Sequence, residues 1–339
     1  MEWYLPLVWA WIIGAAVAMY VILDGFDLGI GILFPFTENE RERDQMMNTV
    51  APFWDGNETW LVLGGGGLWV AFPKAYAVIM PALYLPVIVM LLALIFRGVS
   101  FEFRWVAKPS KGVWNVAFAG GSIVAAFCQG LILGGLIQGI DVQVQPGVGP
   151  QFAGGALDWL TPFSLLCGVG VTLGYALLGA TWLHMKTDGE VAERSRRQAV
   201  PLLFAMLIAM GLVSLWTPLA IDRIWERWFS LPNVLFLAPV PLLTLAAAYY
   251  VGRGLEERRE IGPFAGSIAL FLLGFIGLAI STYPYLVPSH ITFWDAAAAP
   301  ESQIFLGAGV IVLFPIILGY TAFVYWIFRG KVREGEGYH

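Results

Sequence analysis

Asp24 and Asp27 follow about 20 almost uninterrupted apolar residues, and apolar sequence resumes through Phe36. A spacing of three puts both side chains on one side of a helix. Asp55 and Glu58 repeat that spacing within WDGNETW, at the start of the next apolar run. An ionised Asp at the centre of a membrane helix costs roughly 2.5–3.5 kcal/mol, and less toward the interface. Four such groups require water, protonation, a bound cation or pairing, and none has a Lys or Arg within its own apolar run. Carboxylates at this depth suit proton or cation transfer, so Asp24, Asp27, Asp55 and Glu58 are read as a proton path or cation site. A plainer role competes for Asp24 and Asp55, which each precede Gly and are placed to tie down a helix end.

Histidine placement argues against a haem held by this chain. Two imidazole ligands must stand at similar depth on facing helices. Here His184 closes an apolar run, His290 falls in a connecting segment and His339 is the last residue. No haem ligands or metal ligands are therefore expected, and the Met residues read as apolar packing. Cys128 and Cys167 both lie inside apolar runs, which supports neither a disulfide framework nor a C-x-x-C metal site. No G-x-x-x-x-G-K-[ST] phosphate loop occurs, so an ATP-driven pump is not indicated.

The elements that must carry these acids follow from composition. The 339 residues are 58% hydrophobic and 13% charged, about half the charge of a soluble domain. The bilayer must be the main solvent. The chain reads as one polytopic membrane domain over 1–339, an all-α protein of about nine transmembrane helices near 5–33, 52–72, 75–97, 114–138, 161–184, 199–220, 233–252, 263–284 and 303–328. The first run lacks a basic leader and contains Asp24 and Asp27, so it reads as a retained helix. If the N-terminus is outside, 16 of the 19 Lys and Arg residues fall in inner segments; Lys74, Arg223 and Arg227 are the exceptions. That bias sets the C-terminus in the cytoplasm and brings all four acids to the inner side. Only the outer segments near 139–160 and 285–302 have room for extra structure. Gly64 to Gly67 interrupt the second run and read as close helix packing or local backbone deformation.

Particular strings then point to a family. DGFDLGIGIL from Asp24, NTVAPFWDGNETW from Asn48 and FRGVSFEFR from Phe96 resemble the opening of subunit II of cytochrome bd-type quinol oxidases. GATWLHMKTDGE from Gly179, YPYLVPSHITFWDAAAAPES from Tyr283 and PIILGYTAFVYWIFRGKV from Pro315 resemble the end of its fifth helix, its last loop and its last helix, in order. The resemblance implies a terminal respiratory oxidase of the bacterial inner membrane, electrogenic but not pumping. Such complexes oxidise quinol, reduce oxygen to water and take protons from the cytoplasm. It implies a subunit I partner that carries haem b and haem d, often a small third subunit, and no catalytic residue in this chain. It assigns the residue matching Asp55 to a proton path between the large subunits, and those matching Asp24 or Asp27 to the path or a cation site. Glu58 falls where members vary. In some members a quinone lies near the residue matching Trp54, which here can equally face lipid or pack in the core. Glu102 and Arg104 read as inner-interface residues, with salt bridging or snorkelling more apt than chemistry. A proton- or ion-coupled secondary transporter is the alternative reading, for which nine spans and inner carboxylates would also serve.

Overall fold

The computed structural model describes residues 3–106 and 108–335, so His339 lies outside the described residues. Helix α1 runs over Leu5–Leu33, with Pro6 in its first turn, and ends in a 3-10 turn at Phe34–Phe36. The short polar helix α2 (Glu40–Asn48) is capped by the Asn39 side chain, which accepts from the Arg41 amide. Then come α3 (Trp54–Ala71), α4 (Pro73–Ala82), α5 (Tyr84–Val106), α6 (Lys111–Gln138), the hairpin β1 (Val142–Gln145) and β2 (Gly149–Phe152), α7 (Pro162–Lys186) and α8 (Gly189–Ala220). The rest comprises α9 (Asp222–Phe229), α10 (Asn233–Leu237), α11 (Pro239–Glu256), α12 (Gly262–Thr282), the pair β3 (Tyr285–Val287) and β4 (Ile291–Thr292), α13 (Phe293–Ala296) and α14 (Pro300–Ile327).

Among the described residues, eight helices are long and apolar enough to cross a membrane: α1, α5, α6, α7, α8, the α10–α11 pair, α12 and α14. The expected ninth, α3, is a continuous helix of 18 residues. It is not among the eight, because its first turns carry Asp55, Asn57 and Glu58 and its second half is glycine-rich. The span expected at 75–97 needs correction. Proline at 73, 81 and 86 divides it: α4 ends at Ala82, Leu83 leaves helical geometry, and α5 continues to Val106. Arg97 and Arg104 therefore belong to a helix rather than a loop. The segments at 139–160 and 285–302 do hold extra structure, the two hairpins and α13.

The glycines of α3 do not break it. Gly64 and Gly67 face Val17 and Ile13 of α1, with room for a Cβ only at 3.3 and 3.0 Å from those side chains, so they serve close packing. A tighter approach joins α1 to α7. A Cβ on Gly29 would sit 1.9 Å from the Tyr175 carbonyl oxygen, and one on Gly179 would sit 2.4 Å from the Gly29 carbonyl carbon. Backbone meets backbone there, and no rotamer change can relieve an added methyl. Gly29→Ala is expected to destabilise by at least the 1–3 kcal/mol typical of overpacking, roughly. Thermal melting of the purified protein in detergent checks this; an unchanged midpoint would rule out the close crossing.

That crossing lets α3, α6 and α7 enclose the second half of α1. Every residue from Asp24 to Leu33 is buried. Aromatic rings close the same region: Phe26 stacks on Trp182 at 4.1 Å, and Phe53 on Tyr325 at 4.4 Å. The bundle thus has a tightly packed end bearing α2, and an opposite end bearing the two hairpins and α9. Arg223 and Arg227 of α9 donate to the carbonyls of Ser281 and Ile280, satisfying orphan acceptors at the C-terminus of α12.

Candidate functional site

The α2 end holds a buried ionic cluster centred on Arg97. This side chain comes from the middle of α5 and is fully buried, as are Asp24 and Asp27 of α1. Its Nη2 lies 3.1 Å from Asp24 Oδ1 and 3.7 Å from Asp27 Oδ2, and its Nη1 donates to Glu58 Oε1 at 2.8 Å. The Phe101 ring lies 5.7 Å from the guanidinium carbon. Ser100, one turn on, donates to the Arg97 carbonyl at 2.5 Å.

Asn57 of α3 braces the cluster on α1 and ties it to one further helix, α14. Its Nδ2 donates to Asp27 Oδ2 at 2.8 Å and to the Leu23 carbonyl at 3.2 Å. Its Oδ1 accepts from the Tyr325 hydroxyl of α14 at 3.0 Å. Deeper along α1, Tyr20 Oη accepts from Gln129 Nε2 at 2.8 Å, and Tyr175 donates to Gln129 Oε1 at 2.6 Å.

The four acids are not equivalent. Asp24 and Asp27 are fully buried, the Glu58 side chain is 25% exposed, and Asp55 is exposed on the outside of α3, one turn before Glu58. Three carboxyls share one guanidinium. Ionised together they would leave two uncompensated negative charges in a buried site, each costing several kcal/mol, roughly. Asp27 Oδ1 accepts no hydrogen bond among the described residues, while Asp24 Oδ1 faces the Arg97 guanidinium at 3.1 Å. The arrangement therefore favours uptake of protons or of a cation. No group of three His, Cys, Asp or Glu side chains suited to a metal ion occurs among the described residues.

Arg97 was the residue that sequence reasoning missed. Ending the third span at 97 made it an interfacial charge. The signal was present, since Arg97, Ser100, Phe101 and Arg104 recur at helical spacing and all four are buried. Trp54 is half-buried, with one face stacked on Phe101 at 4.8 Å and 2° and its edge against Gly98. It is packed within the chain on that side.

A second ionic cluster seals the end. Arg104 pairs with Glu40 at 3.1 Å and Asp44 at 2.6 Å, and donates to Asn115 Oδ1 at 2.6 Å. Lys111 reaches Asp44 at 2.9 Å and Glu40 at 3.4 Å. Arg104 thus has the salt-bridging role expected of it, while Glu102 is exposed. Burial opposes ionisation of Glu40, but Arg43, Arg104 and Lys111 outweigh it and hold its carboxyl below the usual glutamate range. A carboxyl held low when folded stabilises above its unfolded pKa, and that contribution fades as pH falls through the folded value. Helix α2 is accordingly expected to loosen below about pH 4, the ordinary glutamate range. Hydrogen exchange across Glu40–Asn48 at falling pH checks this; protection that persists would count against the pairing.

His184 is buried at the C-terminal end of α7, while His290 is exposed in the β3–β4 turn at the opposite end of the bundle. The described histidines therefore do not fit a shared haem. Cys128 and Cys167 are free and buried.

The family model described as "Cytochrome bd terminal oxidase subunit II" matches residues 5–328. This chain belongs to that family. It is 30% identical to the cytochrome bd-I ubiquinol oxidase subunit 2 of Escherichia coli K12, covering 98% of this chain and 96% of that one. It is 28% identical to the cytochrome bd ubiquinol oxidase subunit 2 of Bacillus subtilis, covering 96% and 97%. A chain of the bd oxidase from Geobacillus thermodenitrificans has the same fold, with a TM-score of 0.76 over 96% of this chain and 99% of that one, at 15% identity. As subunit II of a cytochrome bd-type oxidase, the protein is a multi-pass membrane subunit of a haem-containing oxidoreductase complex that also contains subunit I. Family membership decides against the transporter reading.

Proposed function

We propose that this chain is the proton-admitting half of a quinol:oxygen oxidoreductase. The complex oxidises quinol at the outer face, reduces oxygen to water and draws the protons for water from the cytoplasm, electrogenically and without pumping. Subunit I carries haem b and haem d, a placement supported by the separation of His184 from His290 in this chain. A small third subunit completes some assemblies of this kind. A quinone held in this chain would have to meet the face of Trp54 that Phe101 leaves open.

Counting α3, which runs antiparallel beside α1, as a ninth and more polar crossing, the N-terminus lies outside and the C-terminus inside, in the inner membrane of a bacterium. Removing the buried Arg97 and Arg104 from the count still leaves the basic excess at the α2 end, as a cytoplasmic face requires.

One observation carries the proton reading: carboxyls of falling exposure are ranked inward from Asp55 through Glu58 to Asp24 and Asp27, and Arg97 touches the inner three. Asp55 meets water or the partner first. Glu58 bridges the surface and the buried pair. Arg97 lets an acid lose its proton without leaving a bare charge, and protonation of another offsets the excess negative charge. Removing Glu58 as Glu58→Gln keeps an acceptor for Arg97 but no titratable proton. In the complete complex, in proteoliposomes, it should slow proton uptake and quinol-driven oxygen consumption together by at least about tenfold. Asp55→Asn should slow them less, because water can stand in for an exposed acid. Wild-type rates in both variants would sink the route.

A further inference from the structure

Helix α14 brings Tyr325 to the acid cluster, yet its own chain scarcely holds it. None of its most apolar 18-residue stretch is buried, and its single buried residue, Gln303, is at the far end from Tyr325. The Tyr325 end is held by its stack on Phe53, by edge contacts with Phe26 and Trp182, and by the segment that follows. Lys186, itself buried, donates to the carbonyls of Phe328 and Gly330, both at 2.5 Å. The Val332 amide donates to the Lys186 carbonyl at 2.8 Å, and Gln45 of α2 donates to the Val332 carbonyl at 2.8 Å. Lys331 then bridges two separate turns, reaching Asp188 between α7 and α8 at 2.8 Å and Glu260 between α11 and α12 at 2.7 Å. Phe328 packs edge-on against Phe53, the ring that stacks on Tyr325.

We propose that Phe328–Val332 is a strap, anchored by Lys186 and Lys331, that sets the position of Tyr325 and through Asn57 that of the Asp27 carboxyl. Tyr325 and Lys331 are then positioning residues for the proton route, and this inference rests on that reading. The path is short and continuous: Lys331 to Phe328, one turn to Tyr325, then 3.0 Å to Asn57 and 2.8 Å to Asp27. Its outer anchor is adjustable. The Lys331 side chain is 29% exposed and both partners are 56% exposed, so salt screens these pairs. They border a polar cavity of about 310 Å³, whose other charged or titratable walls are His184, Glu193 and Arg258. The ionic state of the cytoplasmic face thereby reaches a carboxyl buried in the bundle.

The test is a double-mutant cycle in the complete complex, with haem content used to confirm assembly. Lys331→Glu sets a carboxylate beside Asp188 and Glu260, and should slow turnover about fivefold, within the range of coupling through packed networks. It should shift the pH profile of turnover in the same direction as Tyr325→Phe, and Lys331→Arg should restore both. Added to Tyr325→Phe, Lys331→Glu should have little further effect, because both act through one hydrogen bond. If Lys331→Glu does not assemble, Lys331→Ala takes its place in the cycle. Wild-type turnover and pH profile in the Lys331 variant, or losses that multiply in full with Tyr325→Phe, would overturn the strap. The proton reading fails separately: Asp27→Asn then retains full turnover, whereas an inactive Asp27→Asn beside an unaffected Lys331 variant condemns the strap alone.

Discussion

Arg97→Leu is expected to prevent the complex from accumulating in assembled form. Arg97 is the cation for Asp24, Asp27 and Glu58, and it is fully buried with the two aspartates. Removing one partner of a buried pair costs about 3–5 kcal/mol, because the opposite charge is left without compensation. Here one substitution strands three carboxyls. Leu also fills less of the space that the guanidinium occupies among α1, α3 and α5. Yield of haem-loaded complex and its melting temperature measure the loss. A compensated variant separates stability from chemistry. Arg97→Leu combined with Asp24→Asn and Asp27→Asn leaves only the partly exposed Glu58 carboxyl without its cation, and should recover assembly without recovering proton uptake. If the single variant assembles and melts as wild type, Arg97 is not the counter-ion described here. If the triple variant also turns over normally, the proton route is wrong as well.

Asp27→Asn should do the opposite, leaving the structure intact while stopping the chemistry. The two side chains have the same shape, and an amide oxygen can still accept from Asn57, whose Nδ2 lies 2.8 Å from Asp27 Oδ2. Losing one of the competing carboxylates also relieves the charge excess, so melting temperature should hold or rise. What disappears is the group that, on the proposed route, takes and returns a proton beside Arg97. Quinol-driven oxygen consumption should fall by at least about tenfold, toward the 100-fold scale at which a positioned acid–base group acts. Haem content should remain unchanged. Full turnover in a correctly assembled Asp27→Asn complex would remove Asp27 from the route.

The two substitutions also show how far the residues could be read without the fold. Asp24 and Asp27 were legible because an acid inside a long apolar run is costly, and because spacing along a helix fixes which residues share a side. The contrast between Asp55 and Glu58 was not legible. The same spacing puts them on one side of α3, yet only Glu58 reaches Arg97, while Asp55 remains exposed. The end of α5 was misplaced for a related reason. A basic residue near the end of an apolar run is ordinarily an interfacial anchor, and that habit ended the helix at Arg97. The prolines at 73, 81 and 86 shift the register of the span, and α5 runs nine residues further to Val106.

The sequence by itself determined the solvent, the long apolar helices and the place of Asp24 and Asp27 within an apolar run, because hydropathy and helical period are local properties. It also determined that His184 closes an apolar run while His290 falls in a connecting segment, an arrangement that does not suit a shared haem. Only the tertiary structure decided what neutralises those acids. Arg97 meets Asp24 from α5, Asn57 meets Asp27 from α3, and Tyr325 reaches Asn57 across 268 positions of chain. In a bilayer, a helix satisfies its own backbone but seldom its buried charges. Compensation therefore comes from neighbouring helices, and which neighbours they are depends on crossings such as Gly29 against Gly179 that no periodicity records.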